Sequence, residues 1–303
     1  MLREYGVTVE LTGGIGNQLF SYFAGASLAF KENWPLYLDP TYIKNEIKYP
    51  QGSIESLNIQ GIFLTCRKQK SRLHTFGRRL QNFVIRKSSI VRWLDYRIRG
   101  RYTATEIGFD RHVLDLKSQV YLRGYFQTWK YFNFVIEARP SLKLELQSTS
   151  DWYKHMSKKI LSEEPISIHL RRGDYSPLSK TVGLLSNSYY ISALKRLRDL
   201  GITNSVWIFS DDIELARNFF EHEIFTGASY IEPPDGTDPF ESLFLMRDAK
   251  AHIIANSTYS WWAAMLRQNE GIVIAPEKWF RNMQDPLDLL PPQWLTIAST
   301  WED

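Results

Sequence analysis

The amino-acid sequence predicts an α/β protein of two domains, and three observations support this prediction. Short apolar runs alternate along the chain with amphipathic stretches, which is the pattern of parallel sheets joined by right-handed crossovers. The length of 303 residues suits two domains of roughly 150 residues better than one. A polar stretch follows Pro140, so we predict domains at residues 1–148 and 149–303.

Seven short apolar runs are predicted to be strands, at residues 7–11, 35–39, 120–124, 166–170, 206–209, 251–255 and 271–276. The predicted helices cover residues 18–30, 129–136 and 152–161, most of 65–102, and the stretches after Ser186 or Ser188, after Ser210–Asp212 and after Asn256–Thr258. Ligands bind at the carboxyl ends of the strands in such sheets. The polar motifs of this sequence follow predicted strands, so we expect them to form the functional site.

Composition argues against several classes of protein. No apolar run approaches the roughly 20 residues that a membrane-spanning helix needs. The first residues lack the apolar stretch of a signal peptide. Cys66 is the only cysteine, which excludes an internal disulfide and a cysteine metal cluster. We therefore expect a cytoplasmic protein.

Charge is unevenly distributed along the chain. Residues 65–101 hold twelve lysines and arginines against one acid, Asp95, so this segment carries +11 while the whole chain carries +4. A segment this basic attracts phospholipid headgroups, lipid pyrophosphates or nucleic acid, whereas a solvated helix face explains it equally well. Peripheral attachment to an anionic membrane explains the charge without a second function. Nucleic-acid binding leaves the motifs of the chain unexplained, and we do not expect it.

The first motif is a glycine turn, formed by Gly13, Gly14 and Gly16 after a predicted strand. Glycines let a ligand approach the backbone closely, and the following helix offers unpaired N–H groups to an anion. Leu19 stands where a dinucleotide fingerprint needs its third glycine, so a plain strand-to-helix turn remains the alternative. Asn17 and Gln18 follow the turn and are candidate contacts to a sugar.

The second motif runs from His169 to Asp174 at the end of a predicted strand. Side chains alternate in extended backbone, which puts His169 and Arg171 on one side and Arg172 and Asp174 on the other. Arg171 is then placed to fork onto a diphosphate, and His169 to contact a base or ribose. Arg172 and Asp174 are expected to pair and brace the loop, because an isolated buried charge is costly. A surface ion-pair cluster is the alternative.

Two further polar groups follow predicted strands. Asn256, Ser257 and Thr258 place hydroxyl and N–H donors where a phosphate can sit. The residues Ser210–Asp212 are interpreted as a helix cap, a nucleotide contact or a metal site. Ser210 or Asp211 would suit the role of helix cap. A metal site is the least favoured of the three interpretations, because Arg171 already supplies positive charge.

Three stretches together resemble the inverting α-1,2-fucosyltransferases, the family of bacterial O-antigen fucosyltransferases and blood-group H enzymes. They are residues 13–20 (GGIGNQLF), 169–174 (HLRRGD) and 253–262 (IIANSTYSWW), in the order of that family. The resemblance implies a GT-B architecture, with two Rossmann-like domains facing a cleft. It also implies that the N-terminal half binds the acceptor and that the C-terminal half binds GDP-fucose.

The resemblance further implies transfer of fucose from GDP-fucose to a terminal galactose, with inversion and without a metal or cofactor, in O-antigen or capsule synthesis. A fucosyltransferase of another linkage and a non-catalytic nucleotide- or carbohydrate-binding protein are the alternatives. Arg171 and Asp174 are the candidate catalytic residues, although a phosphate oxygen of the departing GDP is an alternative base. Asn17 and Gln18 are the candidate acceptor contacts. The candidate donor contacts are Gly14, Gly16, Asn17, His169, Arg171, Arg172, Asp211, Asn256, Ser257 and Thr258.

Overall fold

The computed structural model describes residues 6–45, 52–64, 89–173 and 179–302. The chain divides into two compact units. Unit 1 comprises Met1–Glu145 and Pro286–Leu289, and unit 2 comprises Leu146–Asp285 and Leu290–Asp303. The sequence placed a single boundary after residue 148, whereas the short segment Pro286–Leu289 returns to unit 1.

Unit 1 is built on a parallel five-stranded sheet with the order β3-β2-β1-β5-β4. Its strands are β1 (Val7–Glu10), β2 (Leu36–Asp39), β3 (Ile62–Phe63), β4 (Arg101–Thr103) and β5 (Val120–Arg123). All four residues of β1 are buried, as expected for a central strand between two parallel neighbours. The predicted strands at 7–11, 35–39 and 120–124 are therefore confirmed.

Helix α1 (Ile15–Glu32) is the longest element of unit 1 among the described residues. It begins three residues before the predicted start, so Gly16 lies in its first turn and not in the preceding loop. It packs against α4 (Trp129–Ala138) through an edge-to-face contact of Phe23 and Phe132, with ring centroids 4.9 Å apart. The remaining α-helices of unit 1 within its described ranges are α2 (Thr41–Asn45) and α3 (Ser89–Arg99).

The basic segment 65–101 is only partly described by the structure. Its described part forms α3, as predicted, but residues 101 and 102 belong to strand β4. The helix prediction was therefore wrong at its end, where Gly100 adopts a positive φ of 64° and ends the helix. Residues 65–88 lie outside the described residues.

Unit 2 is built on a parallel six-stranded sheet with the order β11-β10-β9-β6-β7-β8. Its strands are β6 (Ile166–Leu170), β7 (Val206–Ser210), β8 (Ser229–Ile231), β9 (Ala251–Ile253), β10 (Val273–Pro276) and β11 (Leu295–Ile297). The α-helices in the described part of this unit are α5 (Asp151–Glu163), α6 (Asn187–Asp199), α7 (Ile213–Phe219), α8 (Pro239–Arg247) and α9 (Thr258–Met265). The predicted α/β class, with a parallel sheet in each half, is confirmed.

The core of unit 2 encloses strand β6 completely. Ile166, Ile168 and Leu170 are fully buried within one apolar cluster. Trp261 and Trp262 are also fully buried and belong to the core. Among the described residues of both units, no helix is long and apolar enough to cross a membrane.

Candidate functional site

The order of strands in unit 2 locates the site. From the central strand β6 the chain proceeds outward through β7 and β8, then returns to β9 on the other side and proceeds through β10 and β11. Connections that leave in opposite directions open a crevice at the carboxyl ends of the two central strands, which is where sheets of this type bind ligands. The predicted motifs follow β6, β7 and β9, so they meet at this edge of the sheet.

His169 lies at the end of β6 and is enclosed by protein. The residue is 3% exposed, and its ring lies 5.5 Å from that of Tyr259, at an interplanar angle of 33°. Burial, and to a lesser degree the charge of Arg171, lowers the pKa of His169 to about 3. The imidazole is therefore neutral at pH 7. Its Nδ1 is buried and has no hydrogen-bond partner among the described residues.

Arg171 follows β6 and forms an ion pair with Asp211, which follows the neighbouring strand β7. The Nη1 of Arg171 is 3.4 Å from Oδ2 of Asp211, and the Arg171 side chain is 12% exposed. A guanidinium has five N–H donors in a planar fork, which suits bidentate binding of phosphate oxygens. The prediction that Arg171 binds a diphosphate stays open, and its position at the carboxyl edge is the one that such a role requires.

The carboxylate of Asp211 also holds the loop that carries Arg171. Its Oδ1 accepts the backbone N–H of Arg172 at 3.0 Å, and its Oδ2 accepts that of Gly173 at 2.9 Å. A Cβ at position 173 would lie 2.6 Å from Oδ2 of Asp211, so a larger residue would displace this carboxylate. The cap of α7 is Asp212, which accepts the N–H of Leu215 at 2.9 Å, and neither Ser210 nor Asp211 as predicted.

Arg172 was predicted to contact the donor and to pair with Asp174, a pairing that the described residues do not test; within them it has the following partners. Its Nη2 donates to the carbonyl of Leu185 at 2.8 Å and to Glu302 at 2.7 Å. Its guanidinium also lies 4.3 Å from the ring centre of Phe219. Because Arg172 is only 3% exposed, we reassign it from donor binding to bracing of unit 2. Asp174 lies outside the described residues.

The residues after β9 lie at the same carboxyl edge of the unit 2 sheet. Asn256 is buried, and its amide nitrogen donates to the carbonyls of Val182, Gly183 and Trp279 at 3.1–3.2 Å. That amide group ties three chain segments together, a role that the sequence did not reveal. The donor contact predicted for Asn256 would have to use atoms other than Nδ2, because Nδ2 already donates to these carbonyls.

Ser257 and Thr258 begin helix α9. Ser257 is its N-cap and accepts the N–H of Tyr259 at 3.4 Å, while Thr258 is the first helical residue and is partly exposed. The positive end of the helix dipole therefore lies at the carboxyl edge of the sheet, which favours an anion there. The phosphate contact predicted for these two residues stays a prediction.

The glycine turn of unit 1 is organised by two amide side chains. Gly13 has a φ of +68°, which favours glycine, and Gly14 is the N-cap of α1. Gln18, predicted to contact the acceptor, is 1% exposed, donates to the Gly13 carbonyl at 3.0 Å and accepts the N–H of Ile54 at 3.1 Å. We therefore reassign Gln18 to holding the turn.

Asn17 is partly exposed beside the same turn. Its Oδ1 accepts a hydrogen bond from Nε2 of Gln127 at 3.0 Å. A Cβ at position 13 would lie 2.7 Å from Nδ2 of Asn17, so the amide nitrogen lies against the glycine turn. Asn17 is thus oriented by Gln127, which the sequence gave no reason to single out. The sugar contacts predicted for Asn17 and the donor contacts predicted for Gly14 and Gly16 stay predictions.

A buried polar cluster at the carboxyl edge of the unit 1 sheet was missed altogether. Arg123 donates through Nε to Glu10 at 3.2 Å, and the Tyr121 hydroxyl donates to Asp39 at 2.7 Å and to Glu10 at 3.2 Å. Burial and the two carboxylates raise the pKa of the Tyr121 hydroxyl well above its ordinary value. A usable signal was present, since Glu10, Asp39 and Arg123 are each the last residue of a strand and its only charged one.

No group of three or more His, Cys, Asp or Glu side chains is arranged to hold a metal ion within the described ranges. The carboxylates described above at the carboxyl edges of the two sheets, Glu10, Asp39 and Asp211, instead accept hydrogen bonds from other groups of the protein. Metal independence stays a prediction.

Residues 6–298 match the family described as glycosyl transferase family 11. An Escherichia coli alpha-1,2-colitosyltransferase is 30% identical over 296 residues, covering 96% of this chain and 98% of that protein. The E. coli O-antigen biosynthesis glycosyltransferase WbnK is 31% identical over 311 residues, covering 95% and 99%. The crystal structure of fucosyltransferase NodZ from Bradyrhizobium aligns with a TM-score of 0.48 at 12% identity, covering 88% of this chain and 94% of that chain.

Proposed function

We propose, on the premise that this chain belongs to glycosyl transferase family 11 and is a glycosyltransferase, that it moves fucose from GDP-fucose to the 2-hydroxyl of a terminal galactose. The transfer inverts the donor anomeric centre and serves O-antigen or capsule synthesis. The observation that carries this proposal is the guanidinium of Arg171 beside the crevice between β6 and β9, held there by Asp211. Both E. coli relatives bear names of transferases, and one name refers to the O-antigen.

Transfer with inversion breaks the bond between the sugar anomeric carbon and the β-phosphate oxygen while the acceptor hydroxyl attacks the opposite face. Negative charge grows on the phosphate as the bond breaks, and a positioned cation lowers that barrier. We assign this role to Arg171, supported by the N-terminus of α9 with Ser257 and Thr258. Arg171 contacts the reacting group, whereas Asp211 is a positioning residue that acts through it.

His169 supports this edge as a neutral side chain. Its lowered pKa keeps a second positive charge away from Arg171, and its ring packs on Tyr259. A neutral imidazole has one donor and one acceptor nitrogen, which also suits a nucleobase or ribose hydroxyl. Direct contact of His169 with the nucleotide needs its enclosed Nδ1 to become accessible when the ligand binds.

On the acceptor side, we place Asn17 in contact with a sugar hydroxyl. Gln127 occupies the Asn17 carbonyl, so the amide N–H group is the part that Asn17 can offer to a ligand. This predicts recognition of an oxygen that accepts a hydrogen bond. The acceptor proton goes either to Asp174 or to a phosphate oxygen of the departing GDP. An Asp174→Asn variant that keeps its GDP affinity but loses transfer supports Asp174 as the base or its organiser.

Transfer of colitose is the second candidate, because one relative is named alpha-1,2-colitosyltransferase. Colitose is fucose without its 3-hydroxyl group, so the two donors differ by one polar contact. A site that hydrogen-bonds the 3-hydroxyl would reject the deoxy sugar strongly, whereas a site that merely accommodates the hydroxyl would discriminate weakly.

The test is incubation of the purified protein with GDP-fucose or GDP-colitose and a panel of terminal galactosides, with and without chelator, followed by linkage analysis of the product. We expect an α-1,2-linked product in chelator. Uptake of GDP without turnover of any donor would favour a binding protein instead. A product of another linkage, or activity that disappears in chelator, would overturn the corresponding part of the proposal.

The role of Arg171 is tested by Arg171→Ala. Loss of a cationic donor to a developing phosphate charge is expected to cost about 3–4 kcal/mol of activation free energy, or roughly a hundredfold or more in kcat. The matched control is Arg217→Ala, which removes a surface arginine of the same unit that pairs with Glu214 at 3.6 Å. Retention of more than about a tenth of the wild-type rate by Arg171→Ala would contradict the assignment.

A further inference from the structure

Helix α3 (Ser89–Arg99) turns an apolar face away from the protein. Ile90, Leu94 and Ile98 are spaced four residues apart and therefore share one side of the helix. They are 70%, 41% and 75% exposed, and Trp93 beside them is 59% exposed. This is an extended group of large apolar side chains on a single short helix.

The opposite face of α3 is the polar one, and it is the face that packs on unit 1. Asp95 is 6% exposed and accepts a hydrogen bond from Arg99 at 3.1 Å. The Tyr96 hydroxyl lies 2.9 Å from Oγ of Ser118, and its ring meets that of Tyr102 edge-to-face at 6.2 Å. A surface helix ordinarily buries its apolar side and shows its polar side to water, so the arrangement of α3 is inverted.

One cation of the helix lies within the outward apolar group. Arg97 lies among these residues, with its guanidinium 5.8 Å from the ring of Trp93. Arg101 follows directly after the helix, whereas Arg92 and Arg99 lie on its opposite face. Aliphatic side chains, a tryptophan and arginines on one helix are the composition of helices that lie in the interface of a lipid bilayer.

We propose that the outward face of α3 docks on the surface of an anionic lipid bilayer, with Ile90, Leu94 and Ile98 in the headgroup region and Arg97 on lipid phosphates. The rest of the basic segment favours this occupant, since residues 65–88 hold eight lysines and arginines and no acid. Like charges disfavour covering of α3 by a second copy of the chain, whereas anionic lipid complements this basic segment. This binding is independent of the proposed transfer reaction.

The experiment is flotation of the full-length protein with vesicles of phosphatidylcholine alone and with vesicles that also contain phosphatidylglycerol. Wild-type protein is expected to float with the anionic vesicles, to float poorly with the neutral ones, and to dissociate as salt is raised. The test variant is the double substitution Ile90→Gln with Ile98→Gln, which keeps the charge and the helix propensity. We expect its partition onto anionic vesicles to fall at least about tenfold, because two side chains lose apolar burial.

The matched control is Leu161→Gln, which replaces a 65% exposed leucine on helix α5 of unit 2 and should leave vesicle binding unchanged. Circular dichroism and thermal unfolding check that each variant is folded. Activity on a small soluble galactoside should be the same in the Ile90/Ile98 variant as in wild type. Flotation needs neither donor nor acceptor, so its outcome is separate from that of the transfer assay.

The proposal is overturned if wild-type protein fails to bind anionic vesicles or binds neutral vesicles equally well. It is also overturned if the Ile90/Ile98 variant binds as wild type does. A third outcome is that wild-type protein binds no lipid but dimerises, while the Ile90/Ile98 variant is monomeric. The occupant of this face would then be a second copy of the chain and not a bilayer.

Discussion

Asp211 is the residue whose replacement tests most directly how the edge of the unit 2 sheet is built. Its carboxylate accepts the backbone N–H groups of Arg172 and Gly173 and pairs with the Arg171 guanidinium. Asp211→Ala removes all three interactions at once. Asp211→Asn keeps the size of the side chain but puts an amide nitrogen where one of these donors needs an acceptor.

The expected loss of stability follows from these contacts. A hydrogen bond to a charged group contributes about 1.5–3 kcal/mol, and solvent near Gly173 reduces the second of the two. We therefore expect Asp211→Ala to lower the free energy of unfolding by roughly 2–4 kcal/mol. Release of the loop also displaces Arg171, and a displacement of about 1 Å at a reacting centre costs about a hundredfold in rate.

The assay compares Asp211→Ala and Asp211→Asn with Asp212→Ala in urea unfolding and in steady-state transfer. Asp212 is the matched control because it is the neighbouring carboxylate, is exposed, and caps α7 through the N–H of Leu215. Its loss should cost about 1 kcal/mol of stability and leave kcat/KM near the wild-type value.

An Asp211→Asn variant that transfers sugar at the wild-type rate would refute the positioning of Arg171 by this carboxylate. A variant that loses stability but keeps its rate per folded molecule would show that Asp211 only braces the loop. Equal losses of rate in Asp211→Ala and Asp212→Ala would show that the rate does not depend on the contacts that only Asp211 makes.

Two further predictions concern stability. Glu241 is 3% exposed and accepts the N–H and the hydroxyl of Ser150, each at 2.6 Å, so Glu241→Ala should cost about 2–4 kcal/mol of unfolding free energy without changing kcat per folded molecule. An unchanged urea midpoint would contradict this. Burial is the main cause that lowers the pKa values of His169 and His252 to about 3 each, from an ordinary value of 6.5. The unfolded chain therefore binds more protons between those values, so stability is full above pH 6.5 and falls as the pH drops toward 3, by up to about 1.4 kcal/mol per pH unit for each histidine. Urea unfolding across this range should show a smaller slope in His252→Gln, and an equal slope in variant and wild type would rule out the assignment.

The sequence was sufficient to identify the family and the class of fold. The three stretches at 13–20, 169–174 and 253–262 indicated the fucosyltransferase family, and membership of glycosyl transferase family 11 bears this out. Strands such as β6 were predictable because central strands of a parallel sheet are buried on both faces and so appear as continuous apolar runs. The edge strands β3, β4, β8 and β11 have two or three residues each and a neighbour on one side only, so they give no continuous apolar run.

Side-chain partners were the part that only the tertiary structure decided. Alternation along the strand predicted different surroundings for Arg171 and Arg172, but it could not name Glu302 as a partner of Arg172, 130 residues further along the chain. The same limit applies to Gln127 beside Asn17 and to Tyr121 between Glu10 and Asp39. Backbone geometry and the burial of apolar faces are encoded locally, so periodicity reveals them. Satisfying a buried charge or amide depends on which distant segments fold against it, and no local pattern contains that information.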